Sequence, residues 1–267
     1  MLFSIITPNY NGAAFLEQTI DSILAQKQDV ELEYIVVDGG STDGSLDIID
    51  RYADSITHCI IEKDSGPADA INKGLRLATG DVVAWLNSDD LYFPGTLARV
   101  RDALQARKTE NAGICFGGCA IINEQGREIR NSITTFKELF FPLSCRFIYQ
   151  CINYLSQPSL FFCRHAVNNA GLLREDMTAA WDYEYILRLW HSGAAVRVKG
   201  SPLAAFRWHE NSISSQHFRV QFKEEYLAAK SDAGLFSLQT FIHFFVRWGI
   251  IGTYKVMIGR KHNNVGG

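Results

Sequence analysis

The chain of 267 residues lacks the Cys-x-x-Cys signature of zinc knuckles and redox pairs. Its six cysteines stand at positions 59, 115, 119, 145, 151 and 163, and none forms a Cys-x-x-Cys pair. Cys115 and Cys119 are wrongly spaced for a zinc knuckle. Such dispersed thiols suit a reduced, cytoplasmic protein. A strong excess of charge of either sign is missing as well. A formal net charge of −3 argues against a general nucleic-acid binder. No basic stretch leads into a long apolar run after Met1, so no signal peptide is expected. Two glycine fingerprints are absent too. Pro8-Asn9-Tyr10-Asn11-Gly12 stands where a dinucleotide fold needs Gly-x-Gly-x-x-Gly. Gly39 to Ser45 keeps the glycine spacing of a phosphate loop, but Ser45 occupies the place of the lysine that holds the β and γ phosphates. No repeat or linker marks a second catalytic domain.

What is present is a regular alternation. Hydrophobic residues make up 47% of the chain, ample for a core. Phe3 to Thr7, Glu33 to Asp38, His58 to Glu62 and Asp81 to Leu86 read as strands. Ala13 to Gln26, Ser45 to Tyr52 and Ala68 to Ala78 read as helices between them. Leu16, Ile20, Ile23 and Leu24 share one face of the first helix. Strands and helices that alternate through short loops predict a parallel sheet with right-handed crossovers. Four polar loops then meet at its carboxyl edge: Thr7 to Asn11, Asp38 to Gly44, Lys63 to Pro67, and Asn87 to Asp90. Open α/β sheets bind their ligands at that edge. Turns favour Asp, Gly and Ser in any protein, so one such loop says little. Four on one edge point to a nucleotide.

The fourth loop carries the sharpest signal. The buried-strand pattern Val82 to Leu86 runs into Asn87-Ser88-Asp89-Asp90. Adjacent carboxylates repel unless a cation joins them. A hard divalent ion with oxygen ligands, Mg²⁺ or Mn²⁺, is the natural partner and would in turn hold a phosphate. A solvated turn capping a helix that starts near Pro94 is the plain alternative.

Three stretches in order resemble the family 2 glycosyltransferases: Thr7-Pro8-Asn9-Tyr10-Asn11, Val37-Asp38-Gly39-Gly40-Ser41-Thr42-Asp43-Gly44-Ser45, and Asp69-Ala70-Ile71-Asn72-Lys73-Gly74 through Asn87-Ser88-Asp89-Asp90. The resemblance continues more weakly through Gln157-Pro158-Ser159, Trp181-Asp182-Tyr183-Glu184 and Arg207-Trp208-His209. It implies an α/β, Rossmann-like GT-A fold, with a mixed, mainly parallel sheet flanked by helices, and a nucleotide-sugar donor. By resemblance, Thr7 and Pro8 line the base pocket, with Asn9 and Tyr10 beside them. Asp38 accepts a hydrogen bond from the base, and Asp64 lies near the base or ribose. Asn87 and Ser88 complete the nucleotide set. Asn87-Ser88-Asp89 takes the place of the family's Asp-x-Asp motif, with Asn87 where an aspartate is common. Asp89 is the leading ligand for Mn²⁺ or Mg²⁺, followed by Asp90 and His209. Lys73, Gln157 and Arg207 are further candidates to meet the donor or acceptor.

Transfer to a hydroxyl also needs a base. Asp182 falls in the first turn of an amphipathic helix that places Tyr183, Ile186, Leu187 and Trp190 on one face. An acid there also complements the helix dipole with no catalytic role. By resemblance it matches the second member of a Glu-Asp pair that supplies the base, with Trp181 in place of the first and Glu184 in reserve.

A GT-A catalytic domain is expected over residues 1–215, with a nucleotide half to 110 and an acceptor half from 111. A helical extension would follow over 216–267. From Thr240 onward that extension has no acid. It holds Arg247, Lys255, Arg260 and Lys261 among many aromatic and aliphatic residues, with His243 and Arg247 as a short polar stripe. A peripheral membrane helix on the cytoplasmic face and a helix packed on the domain or in a homo-oligomer both fit. The expected activity is inverting transfer from a nucleotide sugar, UDP by default, to a saccharide or polyprenyl-linked saccharide in polysaccharide or glycan synthesis. A sugar nucleotidyltransferase and a non-catalytic nucleotide-sugar binder are the alternatives. The former would want a basic loop after the first strand, and Asn9 to Ala14 has no Arg or Lys.

Overall fold

The computed structural model describes residues 1–106, 112–210, 212 and 216–263; the side chains of 250, 251 and 253–263 lie outside that description. The expected division at residues 110 and 111 also falls outside it, as do Asn211, Ile213 and Ser214. In the first half, β1 (Leu2–Asn9), β2 (Glu31–Asp38), β3 (His58–Ile61) and β4 (Val82–Trp85) alternate with α1 (Ala13–Leu24), α2 (Ser45–Arg51) and α3 (Pro67–Leu77). All four strands run parallel, with β1 between β2 and β4, and Asn9 opposite Asp38 at the carboxyl end. The alternating pattern therefore reads correctly, within two residues at most ends. Asp81 stands just before β4, where its carboxylate accepts the Leu2 N–H at 2.9 Å. Helix α3 lies close on β1 because position 74 is glycine: a Cβ there would stand 2.5 Å from Ile6 Cγ2.

The sheet has seven strands in the order β3-β2-β1-β4-β8-β6-β9, completed by β6 (Ala112–Phe116), β8 (Leu160–Cys163) and β9 (Ala194–Arg197). Strand β8 is antiparallel to both β4 and β6, which makes the sheet mixed. Alternate residues feed two cores on its two faces. Ile6, Val37 and Trp85 pack on one side with Ile71, Tyr149 and Tyr183, and Ile5, Val36 and Ala84 on the other with Leu16, Ile20 and Leu97. A small second sheet joins β5 (Leu91–Tyr92), β10 (Ala204–Arg207) and β7 (Cys119–Ile122) in the order β5-β10-β7. It carries residues 204–207 back to the exit of β4, with Ala205 opposite Leu91.

The remaining helices are α4 (Thr96–Ala106), α5 (Asn131–Glu138), α6 (Arg146–Cys151), α7 (Arg164–Ala170), α8 (Trp181–Leu189), α9 (Phe218–Ala233) and α10 (Leu238–Asn263). The helix near Pro94 starts at Thr96, whose Oγ1 donates to Leu203 O. Tyr183, Ile186, Leu187 and Trp190 are buried as expected, but so are Tyr185 and Leu189. Helix α8 is thus enclosed on most sides and keeps only Asp182, Glu184 and Arg188 as charged groups.

The expected end of the catalytic domain at residue 215 also lies outside the described residues, but the helices after it are tied to those before it. Asp232 at the end of α9 pairs with Arg146 at 2.9 Å and His191 at 2.7 Å, and accepts from Gln150 at 2.7 Å. Burial raises the Asp232 carboxyl, but these three partners outweigh it and hold it below its ordinary value. On α10, His243 is buried and its Nδ1 meets Gln150 O at 2.9 Å. The side of α10 that carries His243 therefore faces the protein, and the aromatic side faces outward. Among the described residues, no helix is long and apolar enough to cross a membrane.

Candidate active site

The loops after β1 and β2 are one interlocked unit. Asp38 is fully buried. Its Oδ1 accepts the N–H groups of Gly40 and Ser41 at 3.0 and 2.7 Å. Its Oδ2 accepts Asn9 Nδ2 at 2.6 Å and Ser41 Oγ at 2.7 Å. A carboxylate has about four acceptor positions, and all are used. Asp38 therefore shapes the loop, and an incoming base would have to displace one of these partners. Ser41 Oγ also accepts the Asn11 N–H at 2.8 Å, and Asp43 Oδ2 accepts the Ala13 N–H at 2.9 Å at the start of α1. Ser41 and Asp43 lie inside the motif read from the sequence, but their role in fastening one loop to the other is new. Thr7 and Pro8 are buried, Thr7 Oγ1 accepts from Tyr34 OH at 3.1 Å, and Tyr10 stands 65% exposed above them.

Asp64 is the freer carboxylate at this end. Oδ1 accepts the Gly66 N–H at 3.0 Å. Oδ2 lies so near Gly39 that a Cβ there would stand 2.4 Å away. Burial raises its pKa. Lys73 is committed nearby, at 2.9 Å from Glu62 and 3.6 Å from Asp69.

The loop after β4 divides its two acids. Asp90 is fully buried, and its Oδ1 accepts the Arg207 N–H at 2.9 Å. Burial and the charge of Asp89 hold it well above the ordinary carboxylate range. Asp90 thus turns inward and anchors β10. Arg207, only 1% exposed, is spent inside the protein as well. Its guanidinium donates to Asp89 O, Asn123 O, Glu124 O and Gln18 Oε1, and its Cζ stands 4.4 Å above the Phe15 ring. Arg207 therefore fixes the backbone that presents Asp89.

Asp89 itself is partly exposed, with 25% of its side chain open to solvent. Its Oδ2 lies 2.9 Å from His209 Nε2, with His209 set against the Phe15 ring. An octahedral divalent ion holds ligands at about 2.0–2.1 Å, so neighbouring ligands stand about 3 Å apart. The pair has that spacing. Among the described residues no group of three or more His, Cys, Asp or Glu could hold a metal ion. Two protein ligands would leave the other positions to phosphate oxygens and water, the habit of Mg²⁺-type sites.

Gln157 and Asn87 join the two halves. Gln157 Nε2 donates to Trp85 O at 2.7 Å, and Asn87 Nδ2 donates to Asp90 Oδ2 at 3.3 Å. The Trp85 ring meets Trp181 at 6.0 Å between centroids, so the residue before Asp182 packs against the strand that ends in Asn87-Ser88-Asp89. The buried Nε1 atoms of Trp85 and Trp181 have no hydrogen-bond partner.

Asp182 is half-buried at the start of α8, with Oδ1 accepting the Tyr183 N–H at 2.7 Å. Burial pushes its pKa up to about 6, against the pull of that N–H and of Lys137 on α5. Glu184, the reserve acid, is locked to Arg188 at 2.9 Å. Two acids of α9 complete the surroundings. Glu224 accepts the N–H groups of Thr178, Ala179 and Ala180, each at 2.9 Å, just ahead of α8. Glu225 is buried, accepts Asn153 Nδ2 and Gln221 Nε2, and is raised to about 7, chiefly by burial. No motif announces Lys137, Glu224 or Glu225; only the folded chain brings them to Asp182.

The sequence pattern of glycosyl transferase family 2 matches residues 4–169, more than half of the chain. The chain belongs to that family. Among curated relatives, an uncharacterized glycosyltransferase of Rickettsia conorii is 29% identical over 224 residues, covering 80% of this chain and 35% of that protein. The chain thus spans about a third of that relative. A PGL/p-HBAD biosynthesis glycosyltransferase of Mycobacterium tuberculosis is 45% identical over 103 residues, 37% of this chain and 40% of its own. Two solved structures show the same GT-A architecture. TarS 1–349 of S. aureus in complex with UDP-GlcNAc superposes with a TM-score of 0.66 at 20% identity, over 87% of this chain and 66% of that one. The mannosyltransferase PcManGT of Pyrobaculum calidifontis, in complex with GDP-Man and Mn²⁺, gives 0.60 at 18% identity, over 96% and 79%.

Proposed function

We propose that the chain is an inverting transferase that moves a sugar from a nucleoside diphosphate donor to a hydroxyl of a saccharide or lipid-linked saccharide. One observation supports this reading: β4 leads into an Asp89–His209 pair of ligand spacing, and Trp85 of the same strand packs on Trp181, next to a half-buried Asp182 raised to about 6. A divalent ion bound by Asp89 and His209 would stabilise the negative charge that grows on the leaving diphosphate. Asp182 takes the proton of the acceptor hydroxyl as that oxygen attacks the anomeric carbon and the bond to the diphosphate breaks. A base with a pKa near 6 is ionised at neutral pH yet close enough to it to accept a proton effectively. Glu184 is tied to Arg188, which leaves Asp182 as the free acid of that turn. A single base and a single displacement give inversion.

Asp64, with Oδ2 beside Gly39, is the group we assign to the base or ribose, and Tyr10 supplies an exposed ring at the mouth. UDP is the favoured nucleotide because a uracil imide N–H suits a free carboxylate at this position. Neighbours of this fold bind both kinds of donor, UDP-GlcNAc in TarS and GDP-Man in PcManGT, so GDP is the competitor to test.

Thermal unfolding with UDP, GDP and dTDP, each with and without Mn²⁺, tests the donor, because a ligand of the folded state raises the midpoint. The expected outcome is a Mn²⁺-dependent rise with UDP exceeding those with GDP and dTDP. No rise with any of the three nucleotides would refute the reading.

A further inference from the structure

The outward face of α10 inverts the usual order of a surface helix. Thr240 and His243 point inward at 2% and 3% exposure, while Phe241, Phe245 and Trp248 stand 62%, 57% and 52% exposed at helical spacing. A helix packed on a soluble domain normally shows water its polar side. The loop before it adds Phe236, 98% exposed. These rings are already gathered: Phe241 meets Phe245 at 4.9 Å, Phe244 meets Phe245 at 5.5 Å and Trp248 at 6.3 Å. Between this ridge and Tyr226 of α9 lies a groove of about 270 Å³ walled by Phe236, Phe241 and Phe244. Contiguous apolar surface of this kind marks an interaction site.

Charge identifies the occupant. Asp232 is the last acid of the sequence, and it is consumed by Arg146 and His191. Beyond it come Arg247, Lys255, Arg260 and Lys261, in a chain whose net charge is −3. Arg247 lies beside the ridge, with its Cζ 5.8 Å from the Trp248 ring. Aromatic bulk flanked only by cations matches a helix that lies in the headgroup layer of an anionic bilayer. A symmetric pair of copies would set the same positive segment against itself. With no described helix fit to span, the contact is peripheral.

We propose that Phe236 and the Phe241–Trp248 face of α10 seat the protein on an anionic lipid surface, with α10 in the plane of the membrane. The inference does not depend on transfer activity, because it is read by binding alone. Vesicles of phosphatidylcholine with about one third phosphatidylglycerol are sedimented with the full chain, beside vesicles of phosphatidylcholine only. The expected result is binding to the anionic vesicles at low salt, weakened roughly tenfold or more by 0.5 M NaCl and in the triple variant Phe236→Ser, Phe241→Ser, Phe245→Ser. These three residues are mainly exposed, so the variant keeps the fold, which an unchanged unfolding midpoint verifies. Tryptophan emission should shift to the blue on binding as Trp248 leaves water. Equal sedimentation with neutral and anionic vesicles, or full binding by the triple variant, would overturn the proposal. So would a protein that stays in the supernatant and runs as a dimer that the triple variant splits, which would assign the face to a second copy.

Discussion

Asp182 and Asp89 are the two residues on which the proposed reaction turns, and each has its own signature. Asp182→Asn keeps the shape but cannot accept a proton. Transfer is expected to fall by about 10² to 10⁴, with nucleotide affinity measured by calorimetry within twofold of the parent. The parent's pH profile belongs to the same residue. A base raised to about 6 by burial is lost by protonation. kcat/KM should therefore fall tenfold per pH unit below about 6, and stay level above it until another group titrates. Asp89→Ala and His209→Ala should each remove the Mn²⁺ dependence of UDP binding while leaving the unfolding midpoint in buffer unchanged, since neither side chain lies in the core. Much of this site was legible in the sequence, because acids at a strand end and at a helix start have few reasons to be there. What the sequence could not convey is direction. Asp38, Asp90 and Arg207 carry the right chemistry at motif positions, yet Asp38 holds its own loop and Asp90 and Arg207 hold each other's strands. Residue type is written in a motif; whether the side chain points to ligand or to neighbour depends on partners as far away as Gln18 and Asn123.

Among the elements, the first four strands were readable because helices of 3.6-residue period stand between them; β1, β2 and β4 are mostly buried runs, while β3 alternates half-buried and exposed residues. In the second half the helix that carries Asp182 was readable, but most of the strands were not. Strands β5, β7, β9 and β10 have two to four residues each and no regular alternation with helices to mark them. Their pairing is set by tertiary contacts, as when Phe93 N reaches Leu203 O at 2.9 Å. The contribution of α9 was invisible for the same reason. Glu224→Ala would leave three N–H groups before α8 without their acceptor, at a cost of about 1–2 kcal/mol for partly exposed donors. Faster hydrogen exchange at 178–180 and a reduced kcat would show it; unchanged exchange there would deny α9 that role. Glu225 acts through charge. Its folded pKa of about 7 lies above the ordinary 4.5, so the folded state binds the extra proton between those values. Its contribution is thus most favourable below about pH 4.5 and is lost as pH rises towards 7. Glu225→Gln stays neutral and should be more stable than the parent at pH 8 by about 1–3 kcal/mol, with little difference near pH 5. Chemical denaturation at the two pH values checks this.

For the whole molecule, a boundary at residue 215 looks natural on the sequence, where the motifs end and an aromatic, basic segment begins. Helices α9 and α10 are nevertheless fastened to the elements before it. A chain stopped after Glu210 would lose Glu224 from the start of α8 and Asp232 from Arg146, and would expose the faces of α6 and α8 that α9 and α10 cover. Such a truncation is expected to aggregate or to melt well below the parent, and to lose transfer even though every motif residue remains. A soluble, fully active 1–210 fragment would show that α9 and α10 are accessories.

The reach of Glu224 across more than forty residues also has a consequence in time. A ribosome makes about 5–20 residues per second and holds the newest stretch out of reach. Strands β1 to β4 can pair early, and the nucleotide edge can form with them. The amides of 178–180 must wait for α9 before they find their acceptor. A nascent chain of this kind would build its nucleotide edge first, add His209 opposite Asp89 late, and brace the turn that presents Asp182 last. It would therefore pass through a stage at which the bed for a nucleotide is laid but neither the partner of Asp89 nor the support of Asp182 has arrived.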